Sequence, residues 1–301
     1  VTGVPTGAGS GRAPFEAAPT VRALSLGAGV QSSVCLLLAC RGEIAPFDVA
    51  IFADTGWEPR SVYRHLDRLE RLATAAGIPI RRVGRGNIRA DALDPAHRFA
   101  SMPLYTLSPQ GGRGMARRQC TYEYKVRPIK AEIRGLLGYP HPSRVPADVY
   151  AQMALGISLD ELHRARDADV AYMRNTFPLL DLGWRREDCI AYLTDHGLGD
   201  TPRSSCVGCP YHSDEFWQRL KIDSPAEWDD AVAFDAAIRH GSARANTNGH
   251  PLRGTFWLHS SRRPLDQAPL RTAGGDRATG QGCGPWTCPA TTAGETPGEV
   301  A

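Results

Sequence analysis

Two cysteines stand two residues apart in Cys206-Val-Gly-Cys209, the sharpest chemical signal in the chain. Thiols at that spacing are close enough to hold one metal ion, to anchor a cluster, or to pass between dithiol and disulfide. The chain has eight cysteines. No other pair has this spacing, which argues against a four-cysteine zinc ribbon. Cys35, Cys40 and Cys189 sit in helical patterns and read as small core residues. Cys283 and Cys288, near the end of the chain, are further candidate thiols. Grouped cysteines in a reducing compartment mean metal, cluster or thiol chemistry more often than disulfides.

A second signal is Ser25-Leu-Gly27-Ala28-Gly29-Val-Gln31-Ser32-Ser33. Small residues let a backbone approach an anion closely. A helix opening just after them offers unpaired N–H groups and the positive end of its dipole. Ser32 and Ser33 add hydroxyls. No lysine follows the glycines, so this is not a Walker loop, and the spacing is not that of a dinucleotide fold. Asp54 ends a predicted strand, where α/β ligands bind, and is a candidate for Mg²⁺ or for a ribose or adenine group. Glu58 reads as a helix N-terminal acid. Arg164 is a candidate phosphate ligand, or an ion-pair partner of Asp160 or Glu161. His212 and His259 read as structural histidines.

The elements that must position these residues follow from periodicity. VRALSL (21–26) is a buried strand, followed by a helix near residues 32–39. DVAIFAD (48–54) is a second strand. Pro59 opens an amphipathic helix with Val62, Leu66, Leu69 and Leu72 on one face, ended by Gly77, and IPIRRV is a third strand. The alternation predicts an α/β fold, a parallel twisted sheet with helices on both faces. Residues 99–119 read as a long loop, 122–137 as a helix touched by Pro128, 149–158 as a strand, 185–196 as a helix and 213–240 as helical. Expected boundaries are a flexible leader at 1–20, a nucleotide-binding α/β domain at 21–183, a helical and cysteine-bearing region at 184–265, and a loose tail at 266–301.

Gly27-Ala-Gly-Val-Gln-Ser32 resembles the pyrophosphate loop, S-G-G-x-D-S, of the adenine nucleotide α-hydrolase (PP-loop ATP pyrophosphatase) superfamily. Gly27 replaces the first Ser and Gln31 the Asp. Asp54-Thr-Gly-Trp-Glu-Pro59 is similar to the D-T-G-x-E-x segment of its phosphoadenosine-phosphosulfate (PAPS) reductase-like branch. Cys120-Thr121 with Lys125 and Pro128, then Gly156-Ile-Ser-Leu-Asp-Glu161 with Arg164, resemble two later elements. The Cys206–Cys209 pair matches one in iron–sulfur members. The resemblance spans about residues 21–265 and most closely suggests the ATP-pyrophosphatase subunit of DNA phosphorothioation systems. It implies a HUP/Rossmann-like fold binding ATP and Mg²⁺ through Ser25, Gly27, Ala28, Gly29, Gln31, Ser32, Ser33, Asp54, Gly156 and Arg164. Lys125, Asp54 and Cys120 would be catalytic, with Lys125, Arg127, Arg117 or Arg118 neutralising departing phosphate. A 4Fe-4S cluster would take Cys120, Cys206 and Cys209, with Cys283, Cys288 or Cys189 as fourth ligand. The expected activity is ATP-dependent sulfur insertion into nucleic acid, DNA before tRNA, as part of phage defence. The partners would be a cysteine desulfurase or other sulfur donor and further subunits of a modification complex. Sulfonucleotide reduction is the redox alternative, although the reductases' tail motif is missing.

Composition sets the outer bounds. The chain is 301 residues long, 42% hydrophobic and only +3 in formal charge. No apolar run is long enough for a membrane span, and the start lacks the apolar centre of a secretory signal, so a cytoplasmic protein is expected. Charge is unevenly placed: residues 81–134 carry twelve Lys/Arg against four acids. Such a field suits a polyanion, a nucleotide or a nucleic-acid backbone, or else a solvated basic face.

Overall fold

The computed structural model describes residues 18–97, 100–241 and 254–271. Its elements run β1 (Val21–Leu26), α1 (Val30–Cys40), β2 (Val49–Asp54), α2 (Arg60–Ala75), β3 (Ile80–Gly84), α3 (Ile88–Leu93), β4 (Tyr105–Leu107) and β5 (Arg113–Met115). They continue with α4 (Arg127–Leu136), β6 (Ala151–Leu155), β7 (Met173–Thr176), α5 (Pro178–Asp181), α6 (Arg186–Asp195), α7 (Asp214–Asp223), α8 (Pro225–Ala237) and β8 (Thr255–Trp257).

Five strands form a parallel sheet in the order β3-β2-β1-β6-β7. Alternate residues of each strand face opposite sides. Leu24, Leu26, Ala50 and Phe52 meet α1, α2 and α6, while Ala23, Val49, Ile51 and Ala53 meet Ile129 and Ile133 of α4. Helices therefore cover both faces, as the alternation predicts. Strand order reverses between β1 and β6, and the loops leaving those two strands flank the crevice where open α/β sheets bind ligands.

The long loop expected at 99–119 instead contributes β4 and β5 to a second sheet, antiparallel, in the order β5-β4-β8. Strands of three residues are too short to show a period. A separate apolar cluster lies beneath them, with Trp57, Leu104, Tyr124, Trp217, Trp228, Phe234 and Phe256. Thus residues 100–126 pack with the cysteine loop and α7–α8, whereas α6 packs on the main sheet through Cys189 and Leu193. The helical stretch expected at 213–240 is two helices, because Pro225 has no N–H to continue the first and starts the second. Pro128 has a related effect: a wider π-turn, Tyr122–Val126, leads into α4 just ahead of it. Among the described residues no helix is long and apolar enough to cross a membrane.

Candidate functional site

β1 is buried and ends against the loop at 27–29. Ala28 there takes φ +54, a left-handed conformation that a side chain resists. Ser32 closes the loop on itself: its Oγ accepts from Gly27 N at 3.2 Å and donates to Gly29 O at 3.2 Å. α1 then begins with no side-chain cap and no acid in its first turn. Its N–H groups and positive dipole end face the loop without compensation, which suits an anion. Two buried hydroxyls, Ser25 Oγ and Ser205 Oγ, have no hydrogen-bond partner among the described residues. A Cβ on Gly27 or Gly29 would come within 3.3 or 3.1 Å of Ser204, so that serine forms one wall. Gly156, leaving β6, forms another, since a Cβ there would lie 2.7 Å from Ser32 N. Close backbone approach is therefore what position 156 supplies.

Ser33 turns the other way. Its Oγ lies 2.9 Å from His65 Nε2 inside the core, so its hydroxyl faces α2 and not the loop mouth. Burial drives the His65 pKa down to about 4, keeping the ring neutral. Gln31 donates to Glu161 at 3.3 Å and accepts from Arg186 Nη1 at 3.0 Å. Glu161 in turn pairs with buried Arg164. Burial raises the Glu161 pKa against the opposing pull of Arg164 and Arg186. Arg164 is thus an ion-pair partner within a network that braces the loop. A carboxylate at 31 would face Glu161; the neutral amide satisfies both neighbours.

Asp54 accepts from Gly56 N at 2.8 Å and Tyr63 OH at 2.7 Å, both on Oδ1. Its other oxygen accepts nothing among the described residues. Beyond it, three segments distant in sequence converge. Lys125 Nζ lies 3.1 Å from Glu58 Oε1, with both side chains almost fully buried. Thr55 Oγ1 is 3.1 Å from both Glu58 Oε1 and Cys206 Sγ. Val207 N donates to Trp57 O at 2.8 Å. The Trp57 ring covers Gly208, where a Cβ would lie 2.0 Å from the indole. Only glycine fits at position 208. Glu58 is therefore a central residue of the site and not a decoration of the helix start, although one of its oxygens, Oε2, is buried without a partner. Spacing gave no sign of this, because the pairing is made across the fold.

Cys120 and Cys206 border the same apolar cluster, and Cys209 N donates to Cys206 O at 3.1 Å. Still, no group of three or more His, Cys, Asp or Glu is arranged to hold a metal ion among the described residues. Cys206 is directed at Thr55 and Glu58. The expected iron–sulfur cluster is therefore not shown by the described thiols, and the expected ligands Cys283 and Cys288 lie outside the described residues. Cys189 is buried in the core against α1, where burial lifts its thiol pKa to about 12, so it is no ligand here. His212 is also buried, its ring 2.8 Å from Cys206 O, and burial lowers its pKa to about 3. His259 bonds Asp214 at 2.9 Å.

The basic stretch is largely neutralised. Arg81 pairs with Glu132, Arg82 with Asp67 and Glu70, and Arg85 and Arg127 with Glu123. Arg89 pairs with Asp230 and Lys130 with Asp169. Arg127 is therefore spent on an ion pair with buried Glu123. Ser204, Arg186, Tyr63 and His65 carry no motif, and only the packing identifies them.

No family model matches the chain, and no curated protein matches it significantly. Among solved structures it is similar to phosphoadenylyl-sulfate (PAPS) reductase from Candida auris in its phosphate complex. The identity is 15%, over 61% of this chain and 79% of that one, with a TM-score of 0.34. A likeness at that level carries no argument about what this chain does.

Proposed function

We propose that this chain binds Mg·ATP on the 27–33 loop and splits it to AMP and pyrophosphate to activate an oxygen of a nucleic-acid acceptor for sulfur insertion. The acceptor in this reading is a DNA backbone phosphate. The observation that carries it is the uncapped, acid-free start of α1 behind the left-handed turn at Ala28. Preorganised N–H groups of this kind favour a phosphate and the extra charge of its transition state. Asp54 would meet the metal that rides on the phosphates through Oδ2, the oxygen its bonds to Gly56 N and Tyr63 OH do not use.

The second half of the reaction belongs to the thiols. A non-bridging acceptor oxygen attacks the α-phosphorus of ATP, and pyrophosphate leaves. The oxygen is now part of AMP, a good leaving group. A persulfide on Cys209, charged by a cysteine desulfurase or similar donor, attacks the acceptor phosphorus through its terminal sulfur and AMP departs. Cys206 then attacks the Cys209 sulfur. The S–S bond breaks, its electron pair stays on the acceptor's sulfur, and a Cys206–Cys209 disulfide remains for an external dithiol to reduce. Half-exposed Cys209 suits the carrier, and buried Cys206, held by Thr55 and Glu58, suits the resolver.

The test is exchange of radiolabelled pyrophosphate into ATP with Mg²⁺, with and without acceptor DNA and sulfur donor. Exchange in the intact chain, lost in Ser32→Ala, supports the reading. No exchange and no calorimetric binding of ATP under any of these conditions sinks it.

A further inference from the structure

The ion pairs that neutralise much of the basic stretch do not reach its two exposed arginines on the hairpin, Arg113 and Arg117. Residues 100–122 and 254–265, which build the antiparallel sheet, include five arginines and no Asp or Glu. Arg113, Arg117 and Arg263 are exposed, and none has an ion-pair partner among the described residues. Arg262, itself at φ +56, donates to Thr106 O at 2.9 Å and Gly114 O at 3.0 Å, clamping the two strands of the hairpin together. Its bonds to the hairpin go to neutral carbonyls, so its charge is kept. Asp214, in the neighbouring helix, accepts from His259 and from Arg271 N. Residues 109–115 are exposed without a break, and β5 is an edge strand.

The base of this hairpin abuts the reactive thiols. Gln119 N and Cys120 N both donate to Ser101 O, at 2.8 and 3.1 Å. The Arg118 guanidinium sits 5.1 Å from the ring centre of Tyr211, two residues beyond Cys209. Tyr105, which opens β4, lies within electrostatic reach of Cys209. A chain of positive charge therefore leads from the hairpin tip to the cysteine loop.

The geometry points to the β4–β5 hairpin, with Arg113, Arg117 and Arg263, as the surface on which duplex DNA docks to bring a backbone phosphate to Cys209. This rests on the nucleic-acid acceptor of the proposed function. A two-stranded ribbon enters the wide major groove of B-form DNA, whereas the deep, narrow major groove of A-form RNA excludes it. The exposed arginines then lie against the phosphates.

Fluorescence anisotropy of the full chain with a labelled DNA duplex and an RNA duplex of the same length, without ATP, tests the surface. ATP affinity is measured by calorimetry on the same preparations. Arg113→Glu/Arg117→Glu is expected to weaken DNA binding at least ~10-fold and to make the log–log salt slope shallower by about 2, with ATP affinity unchanged. Arg144→Glu, on an exposed loop elsewhere, should leave DNA binding as it is. Equal DNA affinity in the intact and doubly reversed chains overturns the docking surface and leaves the acceptor reading standing. Tighter binding of the RNA duplex by the intact chain overturns the choice of DNA. Binding of neither duplex removes the acceptor reading and the surface together.

Discussion

Lys125 and Glu58 face each other at 3.1 Å with almost no solvent on either side chain. A buried pair of this kind adds little net stability, but breaking it is costly, because the survivor keeps a charge with nothing to answer it. Lys125→Met is therefore expected to lower unfolding free energy by about 3–5 kcal/mol, read from urea denaturation. Adding Glu58→Gln should recover part of that loss. If the double variant is no more stable than the single one, the pair is not what holds Lys125 in place. The residues that touch were partly legible in the sequence. Asp54, Lys125, Cys206 and the 27–33 loop all stand out by type and spacing. Their partners did not stand out: Ser204, Arg186 and His65 are common residues whose contacts bridge long sequence separations, and no local pattern encodes them.

At the scale of elements, the 27–33 loop is held by one hydroxyl. Ser32→Ala removes both bonds that Ser32 Oγ makes to the loop backbone, each worth about 1 kcal/mol net. ATP affinity is expected to fall ~10-fold or more by calorimetry, with helical content by circular dichroism unchanged. Unaltered affinity would mean that the loop needs no such tie. The strands and helices of the main sheet were legible because each runs long enough to show its period: β1, β2 and the apolar face of α2 (Val62, Leu66, Leu69) were plain. The antiparallel sheet was not, since strands of three residues in Gly- and Pro-containing sequence look like loop. β7, Met-Arg-Asn-Thr, is an edge strand with a polar sequence, and edge positions place few demands on hydrophobicity.

For the whole molecule, pH stability follows from buried His65. Its folded pKa of about 4 lies below the unfolded value of 6.5. Between those values the unfolded chain binds the extra proton, so stability is complete above pH 6.5 and falls as pH drops toward 4. The loss should be about 1 kcal/mol per pH unit within that window, seen as a falling urea midpoint. Buried His212, its pKa lowered to about 3, adds a slope of the same sign, so His65→Gln should make that stretch of the curve shallower without flattening it; a slope unchanged by the substitution would assign it to another group. Within the apolar body around α7–α8, the Trp57 ring packs against Gly208, beside the bond from Val207 N to Trp57 O. Positions 57 and 208 are thus a single heritable choice: Gly208→Ala should cripple the chain, and Trp57→Leu, useless alone, should relieve it. A lineage that enlarged one without trimming the other would lose the seam that brings its thiols to the phosphate loop.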